Sequence, residues 1–156
     1  VPDPKKIDRA RTAPSSSKSR VHEHRFRVRY AETDQMGVVH HANYLIYLEE
    51  SRTRFMAELG CSYAELERSG WLLPVRRAEL RYRAPAYYDE ELIVRTRVER
   101  LGGASLVFAS EVVRATDGAP IASGQIELAC IDARNGARRP TLLPADLRAK
   151  LESAAP

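Results

Sequence analysis

The hydrophobic period of this chain changes from helical to strand-like partway along, and that change leaves few folds open to it. Between Asn43 and Gly60 the residues Tyr44, Leu48, Ser51, Phe55 and Leu59 recur every three or four positions, which places them on one face of a long helix. Gly60 stands where that helix ends, because glycine takes the left-handed conformation of a C-terminal cap without steric cost. Further on the period is two. Ala78, Leu80 and Tyr82 alternate with Glu79, Arg81 and Arg83, and Leu92, Val94, Thr96 and Val98 alternate with Arg95, Arg97 and Glu99. Gly102-Gly103 predicts a turn into a strand over 106–113, Asp117-Gly118 a turn into a strand over 121–131, and Asn135-Gly136 one turn more. Strands joined by such short turns pair antiparallel. A long amphipathic helix and a sheet with one wet face bury their apolar sides against each other, so the predicted class is α+β, a curved antiparallel sheet wrapped around one central helix.

Shorter patterns complete the outline. Phe26, Val28 and Tyr30 alternate with Arg25, Arg27 and Arg29, which predicts a first strand over 22–30 with one wet side and with His22 and His24 at its exposed start. Ser62 and Glu65 have the spacing of a capping box for a second short helix closed by Gly70. Pro144 opens a C-terminal helix carrying Leu147 and Leu151 on one side.

A chain of 156 residues is one domain by length, large enough for its own core. The formal net charge of +4 invites a nucleic-acid partner, but its location argues against one. Lys5, Lys6, Arg9, Arg11, Lys18, Arg20 and Arg25 outweigh Asp3, Asp8 and Glu23 by that whole excess, so the rest of the chain is balanced. Residues 1–20 also contain Pro, Ser and Ala with almost no large apolar groups, and read as a disordered basic tail before a single domain over 21–156. No apolar run approaches a membrane span and no signal-peptide core is present, so a soluble, cytoplasmic protein is expected. Cys61 and Cys130 form no disulfide framework and read as ordinary thiols.

Chemistry concentrates in the run from Glu32 to Tyr44, which brings a carboxylate, a glycine and two histidines into one connection before the long helix. Gly37 permits a sharp turn after Asp34 that returns the chain to the helix start at His41 to Asn43. The free N–H groups there favour developing negative charge, as an oxyanion requires, and a nearby carboxylate can act as general base or nucleophile on a carbonyl carbon. Asp34 read as a turn-holding residue is the plainer alternative. His40 and His41 are adjacent, so on an extended backbone their side chains diverge, and the cysteine and carboxylate spacings of a metal site are absent. Asn43 is placed to cap the helix or to meet substrate, while Tyr44 and Tyr47 read as core.

Arg29-Tyr30-Ala31-Glu32-Thr33-Asp34, then Gly37-Val38-Val39 followed by His41-Ala42-Asn43-Tyr44, and later Tyr82-Arg83-Ala84-Pro85-Ala86 leading into Asp89, carry a resemblance. Over Phe26 to Asp132 the chain resembles the 4-hydroxybenzoyl-CoA thioesterase-like, or YbgC-like, acyl-CoA thioesterases of the hotdog fold. The resemblance implies that Asp34 is the catalytic carboxylate and that the backbone N–H of His41 polarises the thioester carbonyl. It places Gly37, Val39 and Asn43 beside the substrate, Arg83 toward the CoA phosphates and Ser105 near the pocket. It further implies an acyl-CoA or acyl carrier protein thioester as partner and no metal or redox cofactor, since CoA is part of the substrate. The active sites would then form between subunits of a homodimer or homotetramer. A hotdog dehydratase would need a histidine-to-glutamate pattern that is not evident here, and a noncatalytic acyl-thioester-binding or protein-interaction module is the alternative.

Overall fold

The computed structural model of the protein describes residues 19–136 and 138–156. Helix α1 (Asn43–Glu58) lies against a five-stranded sheet whose spatial order is β1 (Val21–Arg27), β4 (Glu91–Leu101), β5 (Ser105–Arg114), β6 (Pro120–Ala129) and β3 (Val75–Tyr82). Every pairing in it is antiparallel. Helix α2 (Tyr63–Arg68) leads into β2 (Trp71–Leu72), which joins β7 (Ile131–Asp132) and β8 (Arg139–Pro140) in a small second sheet, and α3 (Ala145–Glu152) closes the chain.

The helical period is the one that packs. Tyr44, Tyr47, Leu48, Ser51, Phe55 and Met56 of α1 are buried against Leu92, Val94 and Val98 of β4, Leu106, Phe108 and Val112 of β5, and Ile126 and Leu128 of β6 in one core. Side chains buried as completely as Leu48, Phe55 and Phe108 contribute about 1.5–3 kcal/mol each by removal from water. The helix ends as expected. Gly60 has φ 71°, and the Gly60 and Cys61 N–H groups bond the Ala57 and Met56 carbonyls to satisfy its last turn. Gly124 lets α1 approach the sheet: a Cβ there would stand 2.8 Å from Leu48 Cδ2, 2.8 Å from Leu80 Cδ2 and 2.7 Å from the Glu79 carbonyl oxygen. Three buried hydroxyls cross the same contact, Ser51 of α1 to Thr96 of β4 at 2.8 Å and Thr96 to Ser110 of β5 at 2.8 Å.

Local pattern misplaces several details. The first strand ends at Arg27, and Tyr30 enters a turn of 3-10 helix (Tyr30–Glu32), so it is 78% exposed and does not share the inner face of Phe26. His22 and His24 are buried, each stacked on a phenylalanine, Phe55 and Phe26 respectively. The strand predicted over 121–131 breaks at Cys130, whose N–H bonds Ala104 and whose carbonyl accepts from Thr141, and its continuation enters the small sheet. Ala78 and Tyr82 of β3 are exposed although they face α1, because β3 is the edge strand and only its Leu80 is half covered. Ser62 does precede α2, but its hydroxyl caps nothing; the backbone carbonyl of Ser62 accepts the Glu65 and Leu66 N–H groups instead. The predicted tail lies outside the described residues as far as residue 18, while Arg20, assigned to its end, bonds the Ala154 carbonyl and pairs with Glu58 at 3.6 Å. Among the described residues no helix is long and apolar enough to cross a membrane.

The two inward histidines of β1 face acids of α1. His22 Nδ1 lies 3.0 Å from Glu58 Oε2, and His24 Nε2 lies 3.4 Å from Glu50 Oε1, which Arg54 also binds. Burial lowers the His24 pKa from its ordinary 6.5; Glu50 opposes that shift, and Arg54 and His22 add to it. The unfolded chain therefore takes up a proton at His24 before the folded chain does. Stability is full above the ordinary value and falls as pH drops through 6.5 toward the lower folded value. The melting temperature of the parent is expected to fall between about pH 7.5 and pH 5.5, and His24→Gln to flatten part of that fall. Equal pH slopes in the two proteins would remove His24 as a source.

Candidate active site

Residues 33–39 form a tight hairpin. Thr33 bridges Val39, the Asp34 N–H bonds the Val38 carbonyl at 2.9 Å, and the Gly37 N–H returns to the Asp34 carbonyl at 2.9 Å. Gly37 has φ 77° with open space around it, so this position needs glycine for its backbone angle and not for room. Asp34 Oδ1 accepts the Met36 N–H at 2.8 Å, the bond of an Asx-turn. The plain and the chemical readings of Asp34 are thus compatible: one oxygen holds the turn, and Oδ2 accepts no hydrogen bond among the described residues. Val39 is buried, and its N–H bonds Ala86, tying the hairpin to the segment before β4.

The entrance to α1 is built from backbone and from one histidine side chain. His40 Nδ1 accepts the Ala42 N–H at 3.3 Å, while the His41 N–H meets no acceptor among the described residues. Because the backbone turns here, the His40 and His41 rings lie 4.1 Å apart and tilted, and do not diverge as an extended chain would require. Asn43 does not cap the helix. Its Nδ2 donates to the Glu32 carbonyl at 2.7 Å, and the His40 N–H donates to the same oxygen at 2.8 Å. The Tyr82 hydroxyl donates to the His41 carbonyl at 3.1 Å and its ring packs edge-on against Tyr44. Asp34, Gly37, Val39, His41 and Asn43 therefore belong to one continuous constellation.

Arg83 and Ser105 stand apart from it within one chain. Arg83 follows Tyr82 on the sheet face opposite α1, where it lines an open polar groove of ≈ 270 Å³ with Glu79, Arg81, Arg97 and Glu111. Ser105 opens β5 and pairs with Ala129. Toward the other end of β5, Val112 pairs with Ala122, which in turn pairs with Tyr82. Seven residues of strand separate Ser105 from Val112, roughly 23 Å. Cys61 and Cys130 are buried and free, and burial raises both thiols, which disfavours thiolate chemistry at either. No cluster of three metal-ligating side chains occurs among the described residues.

A sequence model described as the thioesterase-like superfamily matches residues 28–151, the span that holds this loop, the central helix and the sheet. The chain belongs to that superfamily. YneP of Bacillus subtilis, provisionally named an acyl-CoA thioesterase, is 42% identical over 85 residues, which are 54% of this chain and 62% of that protein, short of two thirds of its length. The acyl-CoA thioester hydrolase YbgC of Escherichia coli is 30% identical over 126 residues, covering 81% of this chain and 92% of YbgC. The crystal structure of a hypothetical protein from Thermus thermophilus superposes with a TM-score of 0.79 at 38% identity, over 85% of this chain and 98% of that one. The helix wrapped by an antiparallel sheet is the hotdog fold of the thioesterase-like superfamily.

Sequence reading passed over two partners of the site in this thioesterase-like chain. Glu32 is 6% exposed and collects the Arg29 N–H at 2.8 Å, the Arg29 guanidinium at 2.9 and 2.6 Å, and the Tyr47 hydroxyl at 2.9 Å. Burial on its own would raise this carboxyl, but the bonds from Arg29 and Tyr47 outweigh it and hold Glu32 below the usual carboxylate range. Burial and the adjoining Glu32 push the Tyr47 phenol far upward, so it stays a donor. The Arg29-to-Glu32 spacing of three was the available signal for the first partner. Nothing local announced Tyr47.

Proposed function

We propose that this chain hydrolyses acyl-CoA thioesters to a carboxylic acid and CoA. The observation that carries this reading is the pairing, on one hairpin-to-helix connection, of a carboxylate oxygen and a backbone N–H that both lack a partner among the described residues. Asp34 Oδ2 takes a proton from the attacking water, or itself attacks the thioester carbon to give a mixed anhydride that water then opens. In either route the carbonyl oxygen gains negative charge, which the His41 N–H stabilises, and the C–S bond breaks to release the CoA thiolate, which is then protonated. Gly37 supplies the backbone angle of the turn, and Val39 and Asn43 hold the walls on either side. The resemblance to YbgC supports an acyl-CoA substrate. The exposed edge of β3, with Tyr82 and Tyr87 exposed near its end, supports a homodimer in which a second copy closes the site and brings its own arginines toward the CoA phosphates.

Release of free thiol from short-chain, long-chain and aromatic acyl-CoAs, and from an acyl carrier protein thioester, tests the reading. At least one acyl-CoA is expected to be turned over at a rate that follows enzyme concentration. Saturable binding of acyl-CoA without thiol release across the panel would replace hydrolysis by a binding role.

A further inference from the structure

We propose that Glu32 is a positioning residue that sets the Asp34 carboxylate and the His41 N–H in register with each other. The proposal rests on the hydrolase reading above. Glu32 is bonded through both halves of the residue. Its carboxylate takes Arg29 and Tyr47, and its carbonyl takes the His40 N–H and the Asn43 side chain. Three of these partners, His40, Asn43 and Tyr47, follow one another up the entrance and first turns of α1. His41 lies between the first two. Asp34 lies two residues beyond Glu32 on the other arm, so one buried residue links the arm bearing the carboxylate to the arm bearing the donor.

Fold stability alone does not call for this arrangement. Taking a carboxylate out of water is expensive, and an apolar pair of similar volume would hold the loop on α1 at least as well. Apolar contact, however, is indifferent to small slides along the helix. Charged hydrogen bonds at 2.6 to 2.9 Å are not, and they define distance and direction together. Precision of this kind matters for catalysis, where a misplacement of about 1 Å lowers the rate on the order of 100-fold.

The test is a double-mutant cycle on thiol release, with Glu32→Gln, Tyr47→Phe, Asp34→Asn and the Glu32→Gln/Asp34→Asn pair, each checked for native circular dichroism. Glu32→Gln is expected to lower kcat by about 10-fold or more with KM within about twofold, and Tyr47→Phe to lower kcat by a smaller factor in the same way. The double variant is expected to be no slower than Asp34→Asn alone, because once the carboxylate is lost there is no register between it and the His41 N–H left to set. A purely structural role would reduce the folded fraction and leave the kcat of folded molecules alone. Should Glu32→Gln fail to fold, Tyr47→Phe, which leaves the Arg29 bonds in place, decides by the same split. Folded variants with parental kcat, losses confined to KM, or losses that multiply with that of Asp34→Asn overturn the proposal. Parental turnover in Asp34→Asn itself removes the hydrolase mechanism instead, and is read before the Glu32 variants are interpreted.

Discussion

Asp34→Asn is expected to slow thioester hydrolysis on the order of 100-fold or more while leaving the fold intact. The structure makes this substitution unusually clean. Asparagine keeps an oxygen that accepts the Met36 N–H, so the Asx-turn and the hairpin around Gly37 persist. What disappears is the second oxygen, replaced by an amide that is neither base nor nucleophile. Steady-state thiol release, with circular dichroism and melting temperature alongside, checks both halves of the expectation. A folded variant that turns over at the parental rate would show that Asp34 does no more than hold the turn.

The second large effect separates a backbone from its side chain. His41→Ala is expected to retain activity to within about fivefold, because the polarising N–H remains, whereas His41→Pro deletes that donor and is expected to lose on the order of 100-fold or more. Proline also restricts the residue before it, here His40, whose ring accepts the Ala42 N–H. Dichroism and particle size in solution must therefore match the parent before the rates are compared. An alanine variant as inactive as Asp34→Asn, with fold and assembly preserved, would assign the imidazole itself to the reaction.

The parts of this molecule that could be read from sequence are those governed by local periodicity. Helix α1 repeats its apolar face over several turns and is closed by Gly60, so both its extent and its buried side were legible. The turns at Gly102-Gly103, Asp117-Gly118 and Asn135-Gly136 were legible for the same reason, since each residue type answers to its own backbone. Errors arose where a distant partner decides. Ala78 and Tyr82 alternate like buried residues, yet lie on an edge strand that the helix covers only in part. His22 and His24 look solvent-facing until Phe55 and the acids of α1 close over them. Glu32 read as part of a motif, and its bond to Tyr47, fifteen residues on, exists only after folding. Arg83 and Ser105, read as contacts for the CoA phosphates and the pocket, lie within one chain on the sheet face opposite α1 and at the start of β5, positions that strand alternation and register decide and a motif does not.

The hydroxyl chain of Ser51, Thr96 and Ser110 gives the core an uneven tolerance to change. Each hydroxyl is both donor and acceptor, so losing either terminal member leaves the other two satisfying one another. Losing Thr96, the middle member, strands both ends at once, one on the helix and one on the sheet, in surroundings that offer water no access. Drift in sequence can therefore erode this contact from its ends one substitution at a time, and the first position it cannot give up alone is the one on β4.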